Sequence, residues 1–183
     1  MLLFSGEEIV VELTRLGITH AVWITDNCLG KWETALEASS HIELVRICRE
    51  GEAWPLAAGL SIGGQTPIII MQTTGLFESG DALRNILLDL NIPLVAIIGA
   101  RNWLNTESRD SAKIYAEPIL KAWGLDYRLI EFEEDKAELR GFLKNCLDNR
   151  LSGVILLAEL TKMQHDNQCN SRIPFRQALQ TLA

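Results

Sequence analysis

The sequence predicts an α/β fold: a three-layer, doubly wound sandwich around a mainly parallel sheet of about six strands. Short apolar runs recur along the chain without the alternation that a strand with one wet face would show. Between these runs, apolar residues recur with the spacing of one face of a helix. Alternating strand and helix signals indicate parallel βαβ units, and 183 residues suit one domain.

Six apolar runs are the predicted strands. They are residues 18–25, 42–47, 67–72, 93–100, 127–132 and 153–158. The runs at 68–70, three isoleucines, and at 95–98, Val-Ala-Ile-Ile, are the clearest. Every residue in them is apolar, as a strand covered on both faces requires.

Three apolar stripes at helical spacing predict helices between the strands. The stripes are Leu83, Ile86, Leu87 and Leu90; Leu139, Phe142, Leu143, Cys146 and Leu147; and Ala112, Tyr115, Ile119 and Trp123. Pro118 is expected to kink the third of these helices, and Pro55 suits the first turn of another. We take residues 1–160 as the domain and expect the more polar residues 161–183 to form a tail or a short helix from Pro174.

The composition argues against several classes of protein. With 17 Lys and Arg against 24 Asp and Glu, the formal net charge is −7, and no cluster of basic residues suits nucleic acid. The four cysteines lie far apart and form no C-x-x-C pair. We therefore expect reduced thiols and a cytoplasmic location rather than a zinc or disulfide framework.

We expect no membrane span and no secretory signal. The longest uncharged stretch, residues 53–77, contains Pro55 and the turn sequence Gly-Gly-Gln-Thr-Pro at 63–67. These divide the stretch into a helix, a turn and a strand. Glu7 and Glu8 interrupt the N-terminus before the apolar region of a signal peptide can form.

Ligands of such a sheet bind beyond the carboxyl ends of its strands. The loops at that edge are residues 26–30, 48–54, 72–80 and 101–110. Neither G-x-G-x-x-G nor G-x-x-x-x-G-K-[ST] occurs, so dinucleotide and P-loop sites have no direct support. His20 and His41 fall at strand starts, the opposite edge, and are predicted to be structural. Cys28 follows the first strand without a sequence partner that would activate it.

Two carboxylates, those of Glu50 and Glu52, lie between the second predicted strand and the helix that contains Pro55. They either complement the positive end of that helix or belong to a site. The predicted loop at 72–76, Gln-Thr-Thr-Gly-Leu, follows the third strand and brings hydroxyl and amide groups to the same edge. The two loops together would form one side of a polar cleft.

Five segments form a pattern in the first half of the chain. They are Arg-Glu-Gly-Glu-Ala at 49–53, Ala-Ala-Gly at 57–59, Gly-Gly-x-x-Pro at 63–67, Met-Gln-Thr-Thr-Gly-Leu at 71–76 and Asn-Ile-Pro-Leu at 91–94. Together they resemble the pyrimidine-binding (Pyr) domain of thiamine diphosphate enzymes. The sequence is most similar to the sulfopyruvate decarboxylase α subunit and to the N-terminal part of phosphonopyruvate decarboxylase. The resemblance covers residues 4–159 and is most specific between Arg49 and Pro93.

The resemblance implies thiamine diphosphate-dependent decarboxylation of a 2-oxo acid. In the family, a buried glutamate hydrogen-bonds N1′ of the aminopyrimidine and so activates the cofactor, which acts as an electron sink while carbon dioxide leaves. Asn27 is implied to face the substrate. Arg101 is a candidate to bind the substrate's carboxylate or sulfonate, because a guanidinium pairs with such groups bidentately. The residues implied to line the aminopyrimidine are Thr73, Thr74, Gly75 and Leu76.

The sequence departs from the family pattern at the activating carboxylate. Phosphonopyruvate and sulfopyruvate decarboxylases tend to carry Arg-Glu-Glu-Glu-Gly here, and a gapless match places Gly51 where the activating glutamate is expected. Glu52 or Glu50 would serve as the catalytic carboxylate if the turn is shifted by one residue. Glu52 is favoured because it lies nearer the start of the helix.

A second departure concerns the cofactor's diphosphate. In the family, the diphosphate and its Mg²⁺ are held by a domain that carries Gly-Asp-Gly and a later Asn, and this sequence has no such stretch. Gly80-Asp81-Ala82 is predicted to begin a helix instead, so we expect no metal ligand from this chain. The resemblance therefore implies a separate β subunit with a diphosphate-binding domain, an active site shared between chains, and self-association.

Two other functions stay open on the sequence alone. Gly51 at the expected glutamate position favours a noncatalytic Pyr-like module that binds or regulates a partner. A small α/β nucleotide or flavin protein is the third hypothesis, weakened by the missing phosphate loop.

Overall fold

The computed structural model describes residues 3–27 and 29–159, and within them the chain forms one parallel sheet. Its strands are β1 (His20–Trp23), β2 (Glu43–Arg46), β3 (Pro67–Gln72), β4 (Val95–Ala100), β5 (Tyr127–Ile130) and β6 (Gly153–Ala158). The strand order is β2-β1-β3-β4-β6-β5, and every neighbouring pair is parallel. The predicted fold class is confirmed, and each of the six predicted runs contains one strand.

Seven α-helices accompany these strands in the described residues. They are α1 (Gly6–Arg15), α2 (Glu33–Glu37), α3 (Ala53–Ile62), α4 (Thr73–Glu78), α5 (Gly80–Leu83), α6 (Ser111–Ala122) and α7 (Lys136–Asp148). A π-helical segment, Arg84–Asp89, continues α5, and short 3₁₀ turns occupy Gly30–Trp32, Glu50–Glu52 and Glu133–Asp135.

The core consists of two apolar layers, one on each face of the sheet. Ile68 and Ile70 of β3 pack into one layer together with residues of α1, α2 and α7. Ile69 and Met71 of the same strand pack into the other layer, against α3 to α6. All four side chains are fully buried, each stabilising the fold by about 1.5–3 kcal/mol relative to exposure. Burial on both faces is why the predicted strands show no polar alternation.

The strand order creates a switch point at the carboxyl edge of the sheet. From β1 the chain moves to β2 on one side and then returns to β3 on the other side of β1. Crossovers leave in opposite directions at this point, so a crevice opens beyond the carboxyl ends of the strands. The segments that follow β2, β1, β3 and β4 lie side by side at that edge.

Three features of the helices differ from the sequence prediction. Residues 73–76, predicted as a loop, form the first turn of α4, because the helix starts directly after the extended Gln72. Tyr115 is 59% exposed, and the buried face of α6 is Ala112, Ala116 and Leu120. Leu90 is 62% exposed because the helix that precedes it ends at Asp89.

Helix α1 has no counterpart among the predicted helices, although its start signal is present in the sequence. The Ser5 hydroxyl accepts from Glu8 N at 3.1 Å, and the Glu8 carboxylate accepts from Ser5 N at 2.7 Å. This reciprocal pair is a capping box.

Other predictions about local structure are confirmed. Pro55 lies in the first turn of α3, the turn predicted at 63–67 begins directly after that helix ends at Ile62, and Gly80 begins α5. His20 opens β1, and His41 precedes β2.

Cys28 and the tail or helix predicted at 161–183 lie outside the described residues. No helix in the described ranges is long and apolar enough to cross a membrane.

Candidate active site

The turn after β2 is fastened to α4 by one carboxylate. Glu78, at the end of α4, accepts hydrogen bonds from Arg49 Nη2 at 2.8 Å and Arg49 Nε at 3.1 Å through its Oε1. Its Oε2 accepts from the backbone N–H of Gly51 at 2.8 Å. Two elements that follow different strands of the sheet, β2 and β3, are thereby joined at the carboxyl edge.

Glu50 lies between these two anchored residues and packs against α4. A Cβ built at Gly75 would meet Glu50 Cγ at 2.5 Å and Glu50 Oε1 at 3.0 Å, so the contact depends on glycine at that position. Glu50 is half-buried, and no described residue donates a hydrogen bond to its carboxylate. A half-buried carboxylate of this kind can accept a hydrogen bond from a ligand.

Glu52, the other predicted catalytic carboxylate, faces different surroundings. It is exposed, and its Oε2 accepts from the backbone N–H of Cys48 at 3.3 Å. The side chain therefore closes the turn back towards the end of β2.

Three of the four residues predicted to line the aminopyrimidine are buried. Thr73 is fully buried, and its hydroxyl lies between Gly99 O at 3.5 Å and Arg101 N at 3.4 Å, where it links the ends of β3 and β4. Leu76 is also fully buried and belongs to the core layer against α3 to α6. Gly75 is buried beneath the Glu50 side chain, so Thr74 is the one exposed residue of these four.

The two residues predicted to bind substrate lie in the segments after β1 and β4. Asn27 is exposed in a turn that the Asp26 carboxylate stabilises by accepting from Leu29 N at 2.7 Å. Arg101 is exposed and pairs with Asp110, with 3.3 Å between Nε and Oδ2. This pair places the guanidinium at the carboxyl edge of β4.

Sequence reasoning missed Asp110, Glu78 and the role of Arg49. Asp110 accepts from the Asn102 side chain at 2.8 Å and from Ala112 N at 3.0 Å, which caps α6. An aspartate just before a helix is a recognisable N-cap signal. The bond between Arg49 and Glu78 spans 29 positions, and nothing local in the sequence indicates it.

Charge at the site is fixed by the pair of Arg49 and Glu78. The hydrogen bond from Arg49 lowers the pKa of Glu78, and the bond to Gly51 N acts in the same direction. The hydrogen bond to Glu78 in turn raises the pKa of Arg49. Both groups are therefore ionised at neutral pH.

Two sizeable cavities lie elsewhere in the fold. One, of about 480 Å³, is lined by Thr66, Pro67, Pro93 and Val95 among others, where β3 and β4 begin. The other, of about 390 Å³, lies between α1 and α7. Neither of these cavities includes Glu50, Glu52 or Gly75.

The residues of the candidate site fit the aminopyrimidine part of thiamine diphosphate better than its diphosphate part. The half-buried Glu50 carboxylate, held against the buried Gly75 backbone beside the exposed Thr74, suits a ring with a basic nitrogen. In residues 3–27 and 29–159, no group of three or more His, Cys, Asp or Glu side chains is placed to hold a metal ion.

Comparison with known proteins gives a partial match. No family model matches the chain. One curated relative matches part of the chain. It is the sulfopyruvate decarboxylase subunit alpha of Methanothermobacter thermautotrophicus, 30% identical over 97 residues. These residues are 53% of this chain and 59% of the relative, so the chain spans less than two thirds of the relative's length. The similarity supports a relationship to a decarboxylase subunit.

Proposed function

We propose that this chain is the α (Pyr) subunit of a thiamine diphosphate-dependent 2-oxo acid decarboxylase of the sulfopyruvate or phosphonopyruvate type. The observation that carries the proposal is the half-buried Glu50 carboxylate, held against Gly75 at the carboxyl edge of a parallel sheet. The similarity to a sulfopyruvate decarboxylase subunit alpha supports the same conclusion independently.

In this proposal Glu50 is the catalytic carboxylate, in preference to Glu52. Glu50 would form the hydrogen bond with N1′ of the aminopyrimidine, because no described residue donates to its oxygens. Glu52 instead accepts from Cys48 N and is exposed to water, so it lies away from the contact between Glu50 and Gly75. Residue Gly51 then needs no side chain, since its neighbour supplies the acid.

The other site residues bind and orient. The exposed Thr74 contacts the ring, while Gly75, which lacks a Cβ, leaves room for the Glu50 side chain, and Thr73 and Leu76 are buried beneath that turn. Arg101 binds the anionic carboxylate or sulfonate of the substrate after exchanging its ion pair with Asp110, and Asn27 contacts the substrate from the segment after β1. Thiamine diphosphate supplies the electron sink for loss of carbon dioxide.

A separate β subunit completes the site. It holds the diphosphate and Mg²⁺, for which the described part of this chain has no ligand cluster. The active site lies between the two chains, the α chains also self-associate, and the assembly works in the cytoplasm. Residues 1–160 form the Pyr-type domain.

Carbon dioxide release tests the proposal. Sulfopyruvate and phosphonopyruvate are each supplied with thiamine diphosphate and Mg²⁺ to this chain, to a candidate β chain carrying Gly-Asp-Gly and a later Asn, and to their mixture. We expect release from one of the substrates in the mixture alone. Binding of the two chains without release from either substrate would contradict the proposal.

A noncatalytic Pyr-like partner-binding or regulatory module is the second candidate, and one observation favours it. The position where a gapless match expects the activating glutamate is Gly51, whose N–H is already held by Glu78. Under this alternative the chain binds its partner equally well with and without thiamine diphosphate, and Glu50→Gln leaves that binding unchanged.

A further inference from the structure

One carboxylate holds both neighbours of Glu50 in the sequence. Glu78 binds the guanidinium of Arg49 through Oε1 and the backbone N–H of Gly51 through Oε2. Bonds to the residues before and after Glu50 restrict its backbone, because the peptide plane between Glu50 and Gly51 cannot rotate without losing the second bond. The position of the Glu50 side chain over Gly75 follows from that restriction.

We infer that Glu78 is a positioning residue that presents the Glu50 carboxylate to its ligand. The inference rests on the proposed role of Glu50. Glu78 contacts the residues on either side of Glu50 and uses both of its oxygens on Arg49 and Gly51, so it acts through the turn rather than on the ligand.

Glu78 lies on the same helix, α4, as the glycine that Glu50 contacts. Gly75 and Glu78 lie one helical turn apart on the same short helix. The helix therefore supplies both the surface on which Glu50 rests and the carboxylate that holds the turn carrying Glu50. A shift of α4 would move the contact and the restraint together.

A second hydrogen bond, which is buried, holds α4 against α3, the helix that follows the turn. Trp54 Nε1, at the start of α3, donates to the Ser79 hydroxyl at 2.9 Å, and both residues are buried. Ser79 also donates to Leu76 O at 3.3 Å. This buried bond fixes where α4 lies relative to α3, and the exposed bonds of Glu78 then set the turn between β2 and α3. Loss of Glu78 should consequently release the turn without unfolding the helix.

The test is nuclear magnetic resonance of the isotopically labelled chain, with Glu78→Ala and Glu78→Gln as variants. Two signals report directly: hydrogen exchange of the Gly51 amide, and the nuclear Overhauser contact between the Glu50 γ protons and the Gly75 α protons. Asp81→Asn is the matched control, since Asp81 is an ion-paired acid three residues further along whose partner is Arg84.

In Glu78→Ala we expect the Gly51 amide to exchange on the order of tenfold faster and the contact to disappear, because a bond to a charged acceptor is lost. In Glu78→Gln the amide oxygen still accepts from Gly51, so both signals should be intermediate. Asp81→Asn should match the unmodified chain. An unchanged contact between Glu50 and Gly75 in both Glu78 variants would overturn the inference. If Glu78→Ala does not fold, an unchanged contact in Glu78→Gln would overturn it.

Titration with thiamine diphosphate and Mg²⁺ separates this inference from the proposed function. Binding to the complex with the β chain should weaken in Glu78→Ala, and kcat should fall more than the substrate KM rises. If the unmodified complex binds no cofactor while Glu78→Ala still loses the contact between Glu50 and Gly75, the proposed function fails and the positioning of Glu50 by Glu78 stands. If Glu78→Ala binds and turns over like the unmodified complex, the positioning role is wrong.

Discussion

The Glu50 side chain rests on the backbone of Gly75, so closely that a methyl group at position 75 would come within 2.5 Å of Glu50 Cγ. Glu50 belongs to the turn after β2 and Gly75 to the helix after β3. The contact therefore spans the carboxyl edge of the sheet where β1 lies between those two strands.

Gly75→Ala should displace Glu50. The added methyl overlaps with the Glu50 side chain, whose flexible end can move aside, so we expect the free energy of unfolding to change by less than about 1 kcal/mol. We also expect the affinity of the complex with the β chain for thiamine diphosphate to fall at least roughly tenfold, as one charge-assisted hydrogen bond is misplaced. Denaturant unfolding and calorimetric titration measure the two effects.

Gly59→Ala is the matched control for that substitution. Gly59 lies inside α3, and a Cβ built there meets no atom within 4 Å. Alanine should therefore stabilise the chain by roughly 0.5–1 kcal/mol and leave cofactor binding unchanged. Equal affinity of the two variants for thiamine diphosphate would show that the position of the Glu50 side chain does not depend on Gly75.

Arg101→Gln should weaken substrate binding and spare stability. Its ion pair with Asp110 is exposed and contributes at most about 1 kcal/mol to folding. A guanidinium bound to an anionic group of the substrate is worth about 1.5–3 kcal/mol, so KM should rise roughly tenfold to a hundredfold. Steady-state kinetics of the complex gives the answer, with exposed Arg84→Gln as a control. A KM that equals the unmodified value would remove Arg101 from the site.

Arg140→Gln should change how stability depends on pH. The hydrogen bond from Arg140 to Glu12, 2.7 Å from Nη2 to Oε1, lowers the pKa of Glu12 below 4.5. The contribution is then fully present above the unfolded-state pKa and is lost as pH falls through the folded-state pKa. Because the Arg140 side chain is 46% exposed, water screens the pair, and we expect a small difference in the free energy of unfolding between the two forms at pH 7.

Urea unfolding of both forms from pH 7 to pH 3 measures that difference. It should stay constant down to about the pKa of an unfolded glutamate and shrink at lower pH. A difference that grows as the pH falls would contradict this assignment.

Gly153→Ala should destabilise the core. Gly153 opens β6, and a Cβ there would overlap with Cys146 Sγ and the Phe142 ring of α7. Both neighbours are buried, so we expect a loss of about 1–3 kcal/mol in the free energy of unfolding. Gly141→Ala, in the middle of the same helix with no atom within 4 Å, should be neutral or stabilising. Thermal unfolding of the two variants should show midpoints that move in opposite directions.

The sheet was largely predictable from the sequence, because central strands buried on both faces must be continuously apolar. β3 and β6 have the predicted bounds, 67–72 and 153–158. β1 and β5 are shorter than predicted, since strand length depends on pairing as well as on hydrophobicity. The face that α6 buries was not predictable in the same way. Tyr115 fits the helical stripe, yet the sheet leaves room there for Ala112 and Ala116 instead.

The candidate site was predictable only to the level of its segments. Local sequence identified the turn with Glu50 and Glu52 and the segment with Gly75. The choice between the two glutamates follows from contacts across the fold, Glu50 with Gly75 and Glu52 with Cys48 N. These depend on how β2 and β3 lie about β1, which no local pattern specifies.

The central claim is that Glu50, rather than Glu52, meets the aminopyrimidine. Calorimetric titration of thiamine diphosphate with Mg²⁺ into the complex of this chain and its β chain tests it most directly, with Glu50→Gln compared with Glu52→Gln. We expect Glu52→Gln to bind the cofactor as the unmodified complex does and Glu50→Gln to bind it at least roughly tenfold more weakly. Loss of binding in Glu52→Gln with normal binding in Glu50→Gln would contradict the account.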